Sequence, residues 1–110
     1  MRPEVITLCG STKFKEQFLE AQERLTLEGK IVISVGLFVH GDDKKISEEQ
    51  KQKLDELHKR KIDLSEGIYV INVNGYIGNS TRKEISYAKE QGKFVRFYSE
   101  GVRNENKPVL

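Results

Sequence analysis

The sequence predicts a single α/β domain in which a small, doubly wound parallel β-sheet is flanked by helices. Two observations lead to this fold class. Short apolar runs alternate with segments of helical periodicity, in the order strand, helix, strand, helix, strand, helix, strand. Such alternation is typical of parallel strands joined by right-handed crossovers, with helices on both faces of the sheet. In addition, a length of 110 residues suits one domain.

The first third of the chain contains a strand, a helix and a second strand. Residues 5–8 form a short apolar run that predicts the first strand. A helix follows, because apolar residues recur at helical spacing: Phe14, Phe18, Ala21 and Leu25. Ser11 or Thr12 is expected to cap its N-terminus, and Gly29 to end it. Residues 31–35 are the second strand.

The middle of the chain contains a loop and a second helix. Residues 36–45 have no hydrophobic period and predict the loop. Ser47 and Gln50 match a capping box, in which each side chain bonds a backbone amide at the helix start. The helix should run to about Leu64, with Gly67 beyond its end. Its expected inward residues are Leu54, Leu57 and Ile62.

The last part of the chain supplies the remaining strands and helix. Residues 68–73 predict the third strand. A short helix should run from about Thr81 to Gln91 and end at Gly92. Its expected inward residues are Ile85 and Ala88. Residues 93–98 predict the fourth strand.

A central first strand gives the strand order 2-1-3-4, which is flavodoxin-like, with room for a short fifth strand. The domain is assigned to residues 1–98, and residues 99–110 are polar and predict a C-terminal tail. In such folds ligands bind at the carboxyl ends of the strands, where the strand order reverses. The loops over residues 9–12 and 74–81 should therefore flank one crevice.

Composition narrows the classes of partner. The formal net charge of +2 comes from 19 basic and 17 acidic side chains, with no basic block along the chain. Nucleic acid and membrane are therefore not expected as partners. A single cysteine excludes an internal disulfide framework. The first residues lack the apolar run of a signal peptide, so a cytoplasmic location is expected.

The loop after the first strand is a candidate binding segment. Gly10 allows a ligand to approach the backbone, and Ser11 and Thr12 offer hydroxyls and amides at a helix N-terminus, which favours phosphate or hydroxyl groups. An ordinary turn followed by a cap explains the same residues. Cys9 is assigned to binding together with these three residues, but as a side chain it fits a small buried thiol rather than a nucleophile, because nothing in the sequence places His40 or His58 beside it.

The loop after the third strand is a second candidate, because it is longer than a strand-to-helix connection needs. Its glycines let main chain line a pocket, and its aromatic ring can pack on a flat ligand. The residues assigned to binding are Gly75, Tyr76, Gly78, Asn79 and Ser80. No metal site is expected, because the two histidines lack a ligand-spaced partner.

Two carboxylates are candidate catalysts. Glu84 follows Thr81 at capping-box spacing. In one interpretation, the glutamate does no more than accept a hydrogen bond from the threonine amide. If Ser80 is the cap instead, Glu84 is free to face the crevice, and spacing leaves both alternatives open. Asp63 lies near the end of the second helix, where an acid is electrostatically unfavourable. Asp63 either contacts solvent at the end of the helix or is a second carboxylate in the crevice.

Three short motifs, in this order, resemble the nucleoside 2-deoxyribosyltransferase superfamily. They are Cys9, Gly10 and Ser11 after the first strand, residues 62–64 before the third, and the glycine-rich loop leading to Glu84 and Ala88. The similarity spans residues 5–97 and looks greatest to the 2'-deoxynucleoside 5'-monophosphate N-glycosidases.

The resemblance implies a retaining displacement at an anomeric carbon. Glu84 would attack C1' of a deoxyribosyl group and expel the base. Asp63 would orient Glu84 or handle a proton at the leaving base, and Ser11 would lie near the 5' phosphate or hydroxyl. A nucleoside or nucleotide is the implied partner, a homo-oligomer (dimer or higher) the implied assembly, and no cofactor is expected.

Two departures keep other functions open. The family carries an aromatic where Thr7 stands, and an acid or serine where Gly78 stands. The alternative is therefore a catalytically inactive nucleotide-binding module of the same fold. A less favoured one is a phosphoribohydrolase of the lysine decarboxylase-like family. Those proteins share the Cys-Gly-Ser start, but their Pro-Gly-Gly-x-Gly-Thr-x-x-Glu segment is only partly echoed by residues 75–84.

Overall fold

A four-stranded, all-parallel sheet with three flanking helices forms the domain in the computed structural model, which describes residues 2–99. The strand order β2-β1-β3-β4 confirms the predicted 2-1-3-4 topology. In chain order the elements are β1 (Val5–Gly10), α1 (Lys15–Leu27), β2 (Ile31–Ile33), α2 (Glu48–Leu64), β3 (Gly67–Ile71), a 3₁₀ turn (Val73–Gly75), α3 (Asn79–Glu90) and β4 (Phe94–Phe97).

The helices cover both faces of the sheet, as predicted. Because successive strand residues point to opposite faces, the central strands β1 and β3 contribute buried residues to two cores. The core on the α1 side consists of Ile6, Leu8, Phe18, Ala21, Leu25, Tyr69 and Ile71. The core under α2 and α3 consists of Cys9, Ile62, Ile68, Val70 and Ala88.

The start of α1 corrects the predicted cap. Phe14 occupies the cap position without a side-chain cap bond, so neither Ser11 nor Thr12 caps the helix. The Thr12 hydroxyl instead accepts a hydrogen bond from the backbone amide of His40, 3.1 Å away, which ties the neighbouring loop down. The end of the helix is as predicted, because Gly29 adopts φ 93° just beyond it.

The buried stripe of α2 also differs in part from the prediction. The capping box of Ser47 and Gln50 is present, and Ile62 is fully buried as expected. Leu57 was expected inside, yet it is 53% exposed. His58 holds the buried position one turn before Ile62, and its neighbour Leu57 is rotated by about 100° away from that line.

The strand ends differ from the predicted bounds. β1 continues to Gly10, β2 stops at Ile33, and β3 stops at Ile71 because the 3₁₀ turn takes over. Within residues 2–99 there is no fifth strand. The predicted tail lies, apart from Ser99, outside the described residues. Over the same described range, none of the helices has the length and apolar character needed to cross a membrane.

The corrected face of α2 gives a stability prediction. Ile62→Ala should lower the free energy of unfolding by about 2–5 kcal/mol, because it leaves a cavity in a fully buried core. Leu57→Ala, on the same helix, should lower it by under about 1 kcal/mol, because half of that side chain already contacts water. Urea titration followed by circular dichroism measures both. Equal losses would contradict the assigned face.

Candidate active site

A cavity of about 420 Å³ opens at the carboxyl edge of the sheet, between the ends of β1 and β3. The loop after β1, the loop before α2, the inner side of α2 and the start of α3 form its walls. This is the place where open α/β sheets bind ligands, because the loops after two neighbouring strands diverge there. The predicted convergence of the loops over residues 9–12 and 74–81 is thus present.

Most residues assigned to the site from the sequence line this cavity: Gly10, Ser11, Thr12, Tyr76, Gly78, Asn79, Ser80 and Glu84. Three others do not. Cys9 is completely buried beneath the cavity. Gly75 borders a separate cavity of about 530 Å³ with Asn72 and Ser99. Asp63 is exposed elsewhere on α2.

Close backbone packing explains the glycine at the end of β1. Gly10 pairs with Ile71 of β3 and adopts φ 139°, a region that side chains disfavour. A Cβ atom at Gly10 would lie 2.8 Å from the Ile71 carbonyl oxygen. A Cβ atom at Gly41 would similarly lie 2.6 Å from the Thr12 carbonyl oxygen. The ends of β1 and β3 therefore pack closely together at the cavity, and the loop that contains Gly41 packs closely on the segment that follows β1.

Tyr76 and the first turn of α3 form another wall of the cavity. The Lys13 ammonium lies 3.7 Å from the centre of the Tyr76 ring, and the Phe14 ring meets that ring edge-on at 5.8 Å. Asn79 and Ser80 form the first turn of α3, and no side chain caps it. A helix N-terminus carries partial positive charge, so this wall of the cavity favours anionic or hydroxyl groups.

The register of α3 decides between the two interpretations of Glu84. The helix begins at Asn79 after the cap residue Gly78, so neither Thr81 nor Ser80 is the cap. Glu84 lies in the second turn and has no capping role. Its side chain is 21% exposed and lines the cavity.

Glu84 belongs to a cluster of three polar side chains from three different elements. The Cys9 sulfur lies 3.1 Å from Nε2 of His58, and the same nitrogen lies 3.7 Å from Oε1 of Glu84. The expectation that neither histidine lies beside Cys9 is therefore corrected for His58. The available signal was position: His58 lies one turn before Ile62, where the helical period calls for a buried residue.

Burial shifts the acid–base properties of the cluster. It raises the pKa of Glu84 to about 7, and the Asp55 carboxylate adds to this rise while a hydrogen bond from Cys9 opposes it. Burial, together with the Lys61 ammonium, lowers the pKa of His58 to about 4, against the opposing effect of Asp55. Burial and the Glu84 carboxylate raise the pKa of the Cys9 thiol well above its ordinary value. At neutral pH, His58 is therefore neutral and Cys9 protonated.

The second carboxylate at the cavity is Asp55, not Asp63. Asp55 lies on the lining and pairs with Lys51, 3.4 Å away. Asp63 instead accepts a 2.6 Å hydrogen bond from the Tyr87 hydroxyl and pairs with Arg60 at 3.2 Å. The two acids are eight residues apart on one helix, but they face different sides of it.

Thr7 has a structural role away from the cavity. It is fully buried, and its hydroxyl donates a 3.0 Å hydrogen bond to the carbonyl oxygen of Lys61. The bond fastens the last turn of α2 to β1. Lys61, whose ammonium donates to the Ser34 carbonyl oxygen at 2.9 Å, lines the cavity from this fixed turn.

Known proteins provide no further guide to the site. The chain matched no protein-family model, no curated protein and no solved structure. Its chemistry is therefore inferred from the residues and their geometry.

The buried state of Cys9 predicts slow thiol chemistry. In the native protein, 5,5'-dithiobis(2-nitrobenzoate) should label Cys9 at least about 100-fold more slowly than in urea, because the sulfur is enclosed and its thiolate disfavoured. Absorbance of the released thiolate measures this directly, since the chain has one cysteine. Rapid stoichiometric labelling of the folded protein would contradict the described position.

Proposed function

We propose that the protein cleaves the base–sugar bond of a deoxynucleoside, a nucleoside or a corresponding 5'-monophosphate, as an N-glycosidase or deoxyribosyltransferase. The observation that carries this proposal is the position of Glu84. Its carboxyl group has no capping role, lies in the second turn of α3, and lines a cavity at the ligand-binding edge of the sheet.

Glu84 acts as the nucleophile in the proposed reaction. Its carboxylate forms a bond to C1' of the sugar while the bond to the base nitrogen breaks and the base leaves with that electron pair. Water or a second base then attacks C1' and releases the carboxylate. The raised pKa makes the ionised carboxylate a stronger base than an ordinary glutamate, while a substantial fraction stays ionised at neutral pH.

The cavity has separate surfaces for a base and a sugar. Its volume of about 420 Å³ is in the range of small-molecule sites. An apolar wall suited to a flat ring is formed by Val35, Leu37, Val39, Ile46, Leu54 and Leu57. The polar side contains Ser11, Asn79 and Ser80 beside Glu84, which suits hydroxyl or phosphate groups.

The water that attacks C1' must give up a proton, and Asp55 is better placed than Asp63 to accept it. Asp55 lines the cavity and raises the pKa of Glu84 through its charge, so the two carboxyl groups are electrostatically coupled. Asp63 is already engaged by Tyr87 and Arg60 away from the cavity. We therefore assign proton handling to Asp55.

The second candidate function is nucleotide binding without chemistry. Gly78 favours it, because this residue lines the cavity where the resembling family carries an acid or serine that reads the 5' end of the substrate. A phosphoribohydrolase is the weakest candidate, since residues 75–84 lack the segment that such enzymes need. A homo-oligomer, expected from the same resemblance, stays a prediction.

Removal of the nucleophile gives the main test. Glu84→Gln should lower the rate of base release by about 10³-fold or more, because the amide cannot form the sugar ester. Glu90→Gln, on an exposed position of the same helix, should retain the wild-type rate. Chromatography of free base measures release from a panel of deoxynucleosides, ribonucleosides and their 5'-monophosphates.

The same panel separates the candidates. Base release by the wild type that survives in Glu84→Gln would exclude the nucleophile. Ligand-dependent thermal stabilisation without any release would favour the binding module. Release of an intact ribose phosphate from ribonucleotides alone would favour the phosphoribohydrolase.

The two aspartates of α2 give a second prediction. Asp55→Asn should lower base release by about 10²-fold, as expected for loss of a proton-transfer group. Asp63→Asn, eight residues further on, should lower it by less than about threefold, because Asp63 does not line the cavity. The reverse order of effects would restore Asp63 as the second carboxylate.

A further inference from the structure

The cluster of Cys9, His58 and Glu84 has a property that base cleavage does not use. A thiol, an imidazole and a carboxyl group each offer one ligand atom, and the three atoms lie within 4.8 Å of one another. They are the only group of three such atoms this close among residues 2–99. Thiolate and imidazole ligands bind zinc in preference to magnesium or calcium, which favour oxygen ligands.

We propose that Cys9, His58 and Glu84 form a binding site for Zn²⁺ or a similar borderline-soft divalent ion, and that the ion inhibits the protein by occupying Glu84. The metal site goes beyond the proposed function, because metal binding does not require that the protein act on nucleosides, whereas the inhibition rests on the proposed role of Glu84.

The distances fit a tetrahedral ion. Zinc bonds of about 2.3 Å to sulfur and about 2.05 Å to nitrogen or oxygen place sulfur and nitrogen about 3.6 Å apart, and nitrogen and oxygen about 3.4 Å apart. The corresponding separations here are 3.1 Å and 3.7 Å. Small rotations of three side chains are sufficient to admit the ion.

The charges also fit. The +2 charge of the ion is balanced by one thiolate and one carboxylate, while His58 ligates as a neutral ring. Formation of the metal–sulfur bond releases the thiol proton of Cys9 to solvent. The bound ion then pairs with the buried thiolate, which would otherwise be an unpaired charge away from water.

The fourth position of the ion faces the cavity, because Glu84 lines it and Cys9 lies beneath. Three protein ligands with one open position is the arrangement of reactive rather than structural zinc sites. The lone pair of Glu84 that would attack C1' is then held by the metal. Inhibition follows from competition for one carboxylate.

Cobalt absorption tests the site without any enzyme assay. The chelator-treated full chain should bind one Co²⁺, with visible ligand-field bands of a tetrahedral ion and a near-ultraviolet thiolate-to-metal band, and one equivalent of Zn²⁺ should abolish both. Cys9→Ser should lose the thiolate band, and His58→Ala should weaken binding by about 100-fold or more. His40→Ala, which removes the only other histidine, should bind as the wild type does.

Other results would overturn the proposal. One is the absence of saturable Co²⁺ binding by the wild type. Another is a spectrum unchanged in Cys9→Ser, with circular dichroism confirming that the variant is folded. If base release is found, Zn²⁺ should suppress it and chelator should restore it; no suppression at saturating Zn²⁺ would refute inhibition. If no base release is found, the cobalt spectrum still decides the metal site.

Discussion

The close pairing of β1 with β3 is the constraint on which the rest of the site depends. The two strands run side by side from Ile6 opposite Gly67 to Gly10 opposite Ile71, and at the last pair only a glycine fits. Because both strands end at the same height, the loops that follow them open the same cavity. The pairing also holds Cys9 at the floor of that cavity, beneath the glutamate of α3.

The buried cluster of Cys9, His58 and Glu84 lowers the stability of the folded state by an amount that depends on pH. Burial favours the protonated form of Glu84, so its contribution makes the folded state less stable as pH rises from about 4.5 to about 7. Burial favours the neutral form of His58, so its contribution makes the folded state more stable as pH rises from about 4 to 6.5. The two effects have opposite signs over most of the same range. The Asp55 carboxylate raises the pKa of both groups, whereas the Lys61 ammonium lowers the pKa of His58.

The fold could be predicted from the sequence because strand and helix patterns are local, and right-handed crossovers leave few topologies. The position of the two cavity loops and of Glu84 at the carboxyl edge of the sheet followed from that topology. The capping box at the start of α2 is local and could be predicted, whereas the start of α1 could not, because a tertiary contact decides it: the Thr12 hydroxyl bonds His40 instead of capping α1. His58 was missed for the same reason. It meets Cys9 across 49 residues, and no local pattern encodes that contact.

The proton on Cys9 separates the two roles assigned to Glu84. While sulfur keeps its proton, the thiol donates a hydrogen bond to Glu84 and favours the ionised carboxylate, the form that the proposed displacement requires. When a metal ion takes the place of that proton, the same sulfur holds the ion against Glu84, and the carboxylate becomes a ligand. Neutral His58 is compatible with both states, because Nε2 lies beside sulfur and carboxylate alike. The chemistry open to Glu84 therefore depends on whether the Cys9 sulfur holds a proton or a metal ion. A serine in place of Cys9 would give a weaker set of metal ligands, while Glu84 would still present its carboxylate to the cavity.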